Sequence, residues 1–120
     1  MFINKLLQSF GHAANGISYT WKNELNFRIE VGLGFVAILV SLIFAVDLVP
    51  IVLASAVVLA LEIVNTSIES LVDLVSPKQA VAAKIAKDCA AGAVMLAAIM
   101  AIIIALLTIL PAILLKFKLI

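Results

Sequence analysis

Three apolar stretches, at about residues 27–46, 51–74 and 86–110, follow one another with only short polar breaks. A helix of about 20 apolar residues crosses the hydrocarbon core of a bilayer, where every backbone amide and carbonyl must find its partner within the segment. The chain is therefore expected to be an all-α integral membrane protein. A soluble fold has no use for this composition: 66% of the residues are hydrophobic and 12% charged, against about 45–50% and 25% in soluble domains. Too little polar sequence remains for a separate soluble module, so residues 1–120 read as a single membrane domain. The net charge of +1 points to no class of partner, and the single Cys89, which cannot form an intramolecular disulfide, reads as a small packing residue.

Ahead of the first stretch, Ile3, Leu6, Leu7, Phe10, Ala13, Ala14, Ile17 and Trp21 recur at steps of three and four. That spacing predicts an amphipathic helix over residues 1–24 lying on the membrane surface. No apolar segment of signal-peptide type follows Lys5, so the helix is expected to stay in place. Gly11 and Gly16 would weaken it and could mark a bend or a close approach to the backbone. His12 on this helix reads first as a solvated side chain. The next residues, Trp21 to Glu30, are dense in charge and aromatic rings, as at a membrane interface, where Trp21 and Phe27 suit the headgroup level and Lys22 and Arg28 can face phosphates. The plainer alternative is that Glu24 and Arg28 form a helix pair at i and i+4.

Gly32 and Gly34 in the first span permit close helix packing. Asp47-Leu-Val-Pro50 is expected to break the helix, with Asp47 a loop charge or cap, and so short a turn makes the second span an antiparallel neighbour of the first. Ser76-Pro-Lys-Gln79 ends the second span, and Lys78, Lys84 and Lys87 follow. Two crossings put this basic stretch on the same side as Lys5, Lys22 and Arg28. That side is expected to be cytoplasmic.

Within the second span, Glu62-Ile-Val-Asn-Thr-Ser-Ile-Glu-Ser-Leu-Val-Asp73 places Glu62, Asn65, Glu69 and Asp73 within an arc of about 80° on one helix face. Ionisable groups inside a bilayer need a partner, a metal ion or water, and they mark functional sites. Interhelical hydrogen bonds alone contribute only about 0.6 kcal/mol each, a poor reason to keep three acids in apolar sequence. Glu24, Glu69, Asp73, Lys87 and Asp88 fall near one interface, and Glu62 lies about 10 Å deeper than Glu69. Hard oxygen ligands facing lysines suit Mg²⁺ and a polyphosphate, since Mg²⁺ takes one or two protein carboxylates and completes its shell with phosphate and water. A deeper carboxylate could accept a proton from a hydroxyl held in the lipid layer. Together these point to phosphoryl transfer onto a lipid alcohol. The chain has no P-loop and no soluble-kinase motif, and it shows neither a His/Cys cluster for zinc nor a Ser-His-Asp set for its one His to serve.

The same residues resemble the small bacterial integral-membrane diacylglycerol kinase family, which includes undecaprenol kinases. Glu62 to Asp73 looks like its signature, Asn23-Glu-Leu-Asn-Phe-Arg-Ile-Glu30 resembles its N-E-x-x-F-R-x-E segment, and Ala86-Lys-Asp88 its A-K-D motif, in matching order and spacing over nearly the whole chain. The resemblance implies a homotrimer of subunits with a surface helix and three transmembrane helices, in the bacterial cytoplasmic (inner) membrane. It implies active sites near the cytoplasmic face, shared between neighbours. By position, Glu62 is similar to the general base, and Glu24 and Glu69 to the carboxylates that hold Mg²⁺ with ATP. Lys87 and Asp88 match nucleotide contacts, and Asn65 and Asp73 further active-site positions. Arg28, Glu30 and Trp21 fit the segment near substrate entry. The chain departs from the family at Gln79 and Ala80, where a Tyr-His or similar pair is usual, and in having fewer basic residues near Lys5 and Gln8.

An ion-coupled transporter or a structural membrane protein using the acidic seam is the rival reading. A transporter would need an inverted repeat or carboxylates on both sides of the bilayer. The acids here gather toward one side. A structural role predicts that Glu62→Gln changes no activity.

Overall fold

The computed structural model describes residues 1–78 and 80–120, and all of its regular structure is helical: α1 (Phe2–Asn23), α2 (Leu25–Ile43), α3 (Leu48–Val75) and α4 (Val81–Lys116). The last three are long and apolar enough to cross a membrane. They are buried mainly where they meet one another and leave most of their large apolar side chains exposed, as helices facing lipid do.

α3 is the middle element, packing against α4 along one side and α2 along the other, while α2 and α4 scarcely touch. The α2–α3 contact depends on a small residue, as expected: a Cβ on Gly34 would lie 3.2 Å from Ser55 Oγ. Nothing lies within 4 Å of a Cβ built on Gly32. Between α2 and α4 a groove of about 490 Å³ runs from Glu30 past Gly34 and Val58 to Ile113, its walls almost wholly apolar.

The helices depart from the expected spans in ways that local chemistry explains. α1 runs unbroken through Gly11 and Gly16, with no bend and nothing close to either, and every residue before Thr20 is exposed, His12 included. The chain leaves helical geometry at Glu24 (φ −108°, ψ 110°), the single residue between a helix with one apolar face and a helix apolar all round. α2 ends at Ile43, short of residue 46, because Ala45 adopts φ 54° and closes the helix: its amide donates to Leu42 O and the amide of Val46 to Ser41 O. Asp47 is then the N-cap of α3, its Oδ1 accepting from the Val49 amide at 3.0 Å. Pro50 does not break the chain; it falls in the first turn of α3, where no amide hydrogen is needed.

α4 begins at Val81 rather than 86 and runs to Lys116 through Pro111, beyond the expected end at 110. At 36 residues it is about 54 Å long, against a hydrocarbon core of about 30 Å. A second closure of the same type ends it: Lys118 has φ 54°, its amide donates to Leu115 O and the amide of Leu119 to Leu114 O. The two closures meet. Phe44 and Phe117 pack with ring centroids 6.4 Å apart, and Lys116 Nζ lies 5.4 Å over the Phe44 ring. α2 and α4 therefore end on the same side, opposite α1 and the connection from α3 to α4. Cys89 is exposed on α4, so within one chain it is not the packing residue expected of it.

Candidate functional site

α3 supplies the centre of the polar end of the bundle, because its seam keeps helical spacing over three turns. Burial falls steadily along it: Glu62 is 3% exposed and Asn65 8%, Glu69 is half-buried, and Asp73 is open. The deep end is the part that a membrane fold cannot keep without a reason. Asn65 Nδ2 donates to Glu69 Oε1 at 3.2 Å, while Asn65 Oδ1 is buried without a partner. Buried polar atoms are ordinarily satisfied, so an orphaned acceptor beside two carboxylates marks a place where a donor arrives from elsewhere. Among the described residues, no side-chain hydrogen bond joins the Glu62 carboxylate to another group.

Two glutamates from the neighbouring segment converge on it. Glu24 at the α1–α2 junction and Glu69 both lie within Coulombic range of Glu62, and so does Glu30, one of whose carboxylate oxygens is buried without a partner. Glu30 also stands at the end of the apolar groove. Each of these three charges repels Glu62, and a cation lowers that cost directly.

α4 contributes the positive charge. Lys87 Nζ bonds Asp73 Oδ1 at 2.8 Å and lies within Coulombic range of Glu69, whereas Asp88 pairs with Lys84 one turn earlier. Lys87 and Asp88 thus do not pair with each other. Both ion pairs are solvent-screened and weak enough for an incoming phosphate to displace. Asp73, Ser76, Lys84, Lys87 and Asp88 line a cleft of about 170 Å³ between the ends of α3 and α4. At its rim the Ala80 amide donates to Ser76 Oγ, and Gln79, named with Ala80 as a departure from the family pattern, lies outside the described residues.

At the junction the Glu24–Arg28 pair, the plainer alternative for this segment, is not among the ion pairs of the described residues. Arg28 Nη1 instead donates to the carbonyls of Trp21 and Lys22, and Trp21 meets the buried Phe27 edge-on. The candidate site residues Trp21, Glu24, Arg28, Glu30, Glu62, Asn65, Glu69, Asp73, Lys87 and Asp88 therefore fall toward one end of the bundle.

Sequence reasoning passed over Thr20 and Thr66, which are 1% and 6% exposed and bond back to Gly16 O and Glu62 O. Each lies four residues from a key glutamate on the same helix or at its end, which is the signal that could have found them. Among the described residues, no three His, Cys, Asp or Glu side chains converge as a ready-made metal cage. Two carboxylates and open space suit Mg²⁺, which arrives with phosphate oxygens and water rather than being caged by protein. The donor set of Glu24 and Glu69, next to an orphaned amide oxygen, fits it.

Comparison with known proteins bears on the same residues. The family model described as prokaryotic diacylglycerol kinase matches residues 11–109. The chain is 43% identical over 113 residues to a diacylglycerol kinase of Synechocystis sp., an alignment covering 91% of this chain and 65% of that protein. It is 36% identical over 112 residues to the undecaprenol kinase of Bacillus subtilis, covering 91% of each. Against the diacylglycerol kinase of Escherichia coli the identity is 30% over 102 residues, 82% of this chain and 84% of that one. The chain thus spans just under two thirds of the Synechocystis relative and nearly all of the Bacillus one.

Proposed function

The chain belongs to the prokaryotic diacylglycerol kinase family, and we propose that it is an ATP-dependent lipid kinase that transfers the γ-phosphate to the hydroxyl of a membrane lipid alcohol, diacylglycerol or undecaprenol. The observation that carries this reading is the burial of Glu62 within Coulombic range of three other carboxylates, on a helix face whose open end is paired with Lys87. No structural need accounts for it.

In this reading Glu62 accepts the proton of the lipid hydroxyl as that oxygen attacks the γ-phosphorus and the bond to ADP breaks. Asn65, with a free buried acceptor, holds the hydroxyl in line. Glu24 and Glu69 hold Mg²⁺, which when bound offsets the charge of the triphosphate. Lys87 exchanges Asp73 for the transferring phosphate and Asp88 flanks it, so charge developing on the phosphoryl oxygens meets a fixed cation. The lipid's apolar body lies along the groove that ends at Glu30, with Trp21 near the entry.

The same reading takes the protein as multi-pass in the bacterial cytoplasmic membrane, with α1 on the cytoplasmic surface beside the site. It also takes the working unit as a homotrimer with sites shared between neighbours. The apolar surface left exposed by single α3 and α4 helices supports lipid or subunit contacts there.

The test is Mg²⁺-dependent transfer of labelled γ-phosphate from ATP in mixed micelles, with diacylglycerol and undecaprenol offered separately and Glu62→Gln as control. Transfer to one acceptor, lost in the variant, is the expected outcome and assigns the branch. A folded protein that phosphorylates neither and binds no ATP overturns the kinase reading, and cation flux in vesicles then tests the transporter.

A further inference from the structure

The break between α1 and α2 is one residue wide, and that residue is Glu24. Leaving helical geometry there takes the amides of Leu25 and Asn26 away from the carbonyls of Trp21 and Lys22, their partners in a continuous helix. Arg28 replaces both: its Nη1 donates to Trp21 O at 3.2 Å and to Lys22 O at 3.3 Å. The Arg28 amide meanwhile donates to Glu24 O at 3.4 Å, and the Glu24 amide to Thr20 O at 2.8 Å. Trp21 and Phe27 span the same junction with ring centroids 6.4 Å apart, and Thr20 and Phe27 are buried beneath it. Glu24 is thus held by its own backbone from both sides, and among the described residues Arg28 is the one charged side chain that ties the two helices across it by hydrogen bonds.

We propose that Arg28 is a positioning residue: it clasps the end of α1 to the start of α2 and so sets where the Glu24 carboxylate stands relative to Glu62 and Glu69. The guanidinium is turned toward the C-terminal end of α1, where a cation complements both the bare carbonyls and the helix dipole. Its contribution to the reaction runs through Glu24 and not through a contact with the lipid. What Glu24 does rests on the kinase reading, whereas the clasp rests on the hydrogen bonds alone.

Two readouts separate this from a lipid contact and from a general loss of fold. The first is binding of Mn²⁺, standing in for Mg²⁺, with ATP and no acceptor, followed by electron paramagnetic resonance. The second is hydrogen exchange at the amides of residues 24–28. Arg28→Gln is expected to weaken Mn²⁺ binding by about tenfold, the equivalent of about 1.4 kcal/mol, and to speed exchange at those amides. It leaves the KM for the lipid acceptor unchanged. Arg28→Lys, which keeps a cation able to reach the carbonyls, restores most of both. Added to Glu24→Gln, Arg28→Gln costs nothing further in cation binding.

A raised acceptor KM with unchanged cation binding and unchanged exchange overturns the proposal in favour of a lipid contact. Should Arg28→Gln fail to fold, Arg28→Met, which keeps an apolar stem and removes the donors to Trp21 O and Lys22 O, carries the test, since exchange at residues 24–28 identical to wild type would overturn the clasp. A wild-type protein that transfers no phosphate removes the kinase reading, and exchange in Arg28→Gln still decides the clasp.

Discussion

At the end of the bundle where α2 and α4 stop, the groups that close the helices are paired: Val46 and Leu119 return amides to Ser41 and Leu114, Asp47 caps α3, and Phe44, Phe117 and Lys116 pack together. At the opposite end, Glu30 Oε2 and Asn65 Oδ1 are buried without partners, and Glu62 is buried among like charges. One end is closed by the chain itself but for Ser41 Oγ, a neutral hydroxyl buried there without a partner. The other has kept polar groups that only something from outside can satisfy, which is how a binding site differs physically from a structural cap. The distal end should therefore govern stability and the polar end activity.

The largest test of that division is Glu62→Gln. Phosphoryl transfer is expected to fall about 10²–10⁴-fold, the usual loss with a general base, while the unfolding midpoint in micelles stays or rises as a buried charge is removed. Retained transfer would break the comparison at its functional end. At the other end, Phe44→Leu removes both the aromatic pair and the Lys116 contact. It is expected to cost about 1–2 kcal/mol of unfolding free energy, measured by denaturant titration in micelles, with the turnover rate unchanged.

A subtler comparison lies within α2. Gly32→Ala gains up to about 1 kcal/mol of helix propensity in open space. Gly34→Ala gains less, because its methyl would stand 3.2 Å from Ser55 Oγ and 3.4 Å from Ser55 Cβ, and Ser55 must give way by a few tenths of an ångström to admit it. Equal unfolding midpoints for the two variants would show that this contact is loose. The smallest effect is expected at Ala45→Gly. Relieving a Cβ at φ 54° should stabilise the distal closure by about 0.5–1 kcal/mol, read in the same titration, without altering activity.

Much of the fold and of the polar end is legible in the amino-acid sequence. Apolar length alone requires helices, because a bilayer leaves backbone groups no other partner. The 3.6-residue period places Glu62, Asn65, Glu69 and Asp73 on one face, and short polar breaks make the spans antiparallel. Both are local properties, set by composition and by the geometry of a single helix.

The tertiary structure decided what depends on residues far apart in the chain. Pro50 and Pro111 have the look of stops, yet one sits in a first turn and the other inside α4, because a helix position is judged by its neighbours' hydrogen bonds and not by residue type. Arg28 and Glu24 have the spacing of a helix pair, but a break at Glu24 sends the guanidinium to α1. Lys87 is paired with Asp73, 14 residues away on the neighbouring helix. Helical period says which face a side chain occupies, whereas the element opposite that face is a matter of packing, and packing chose the partners.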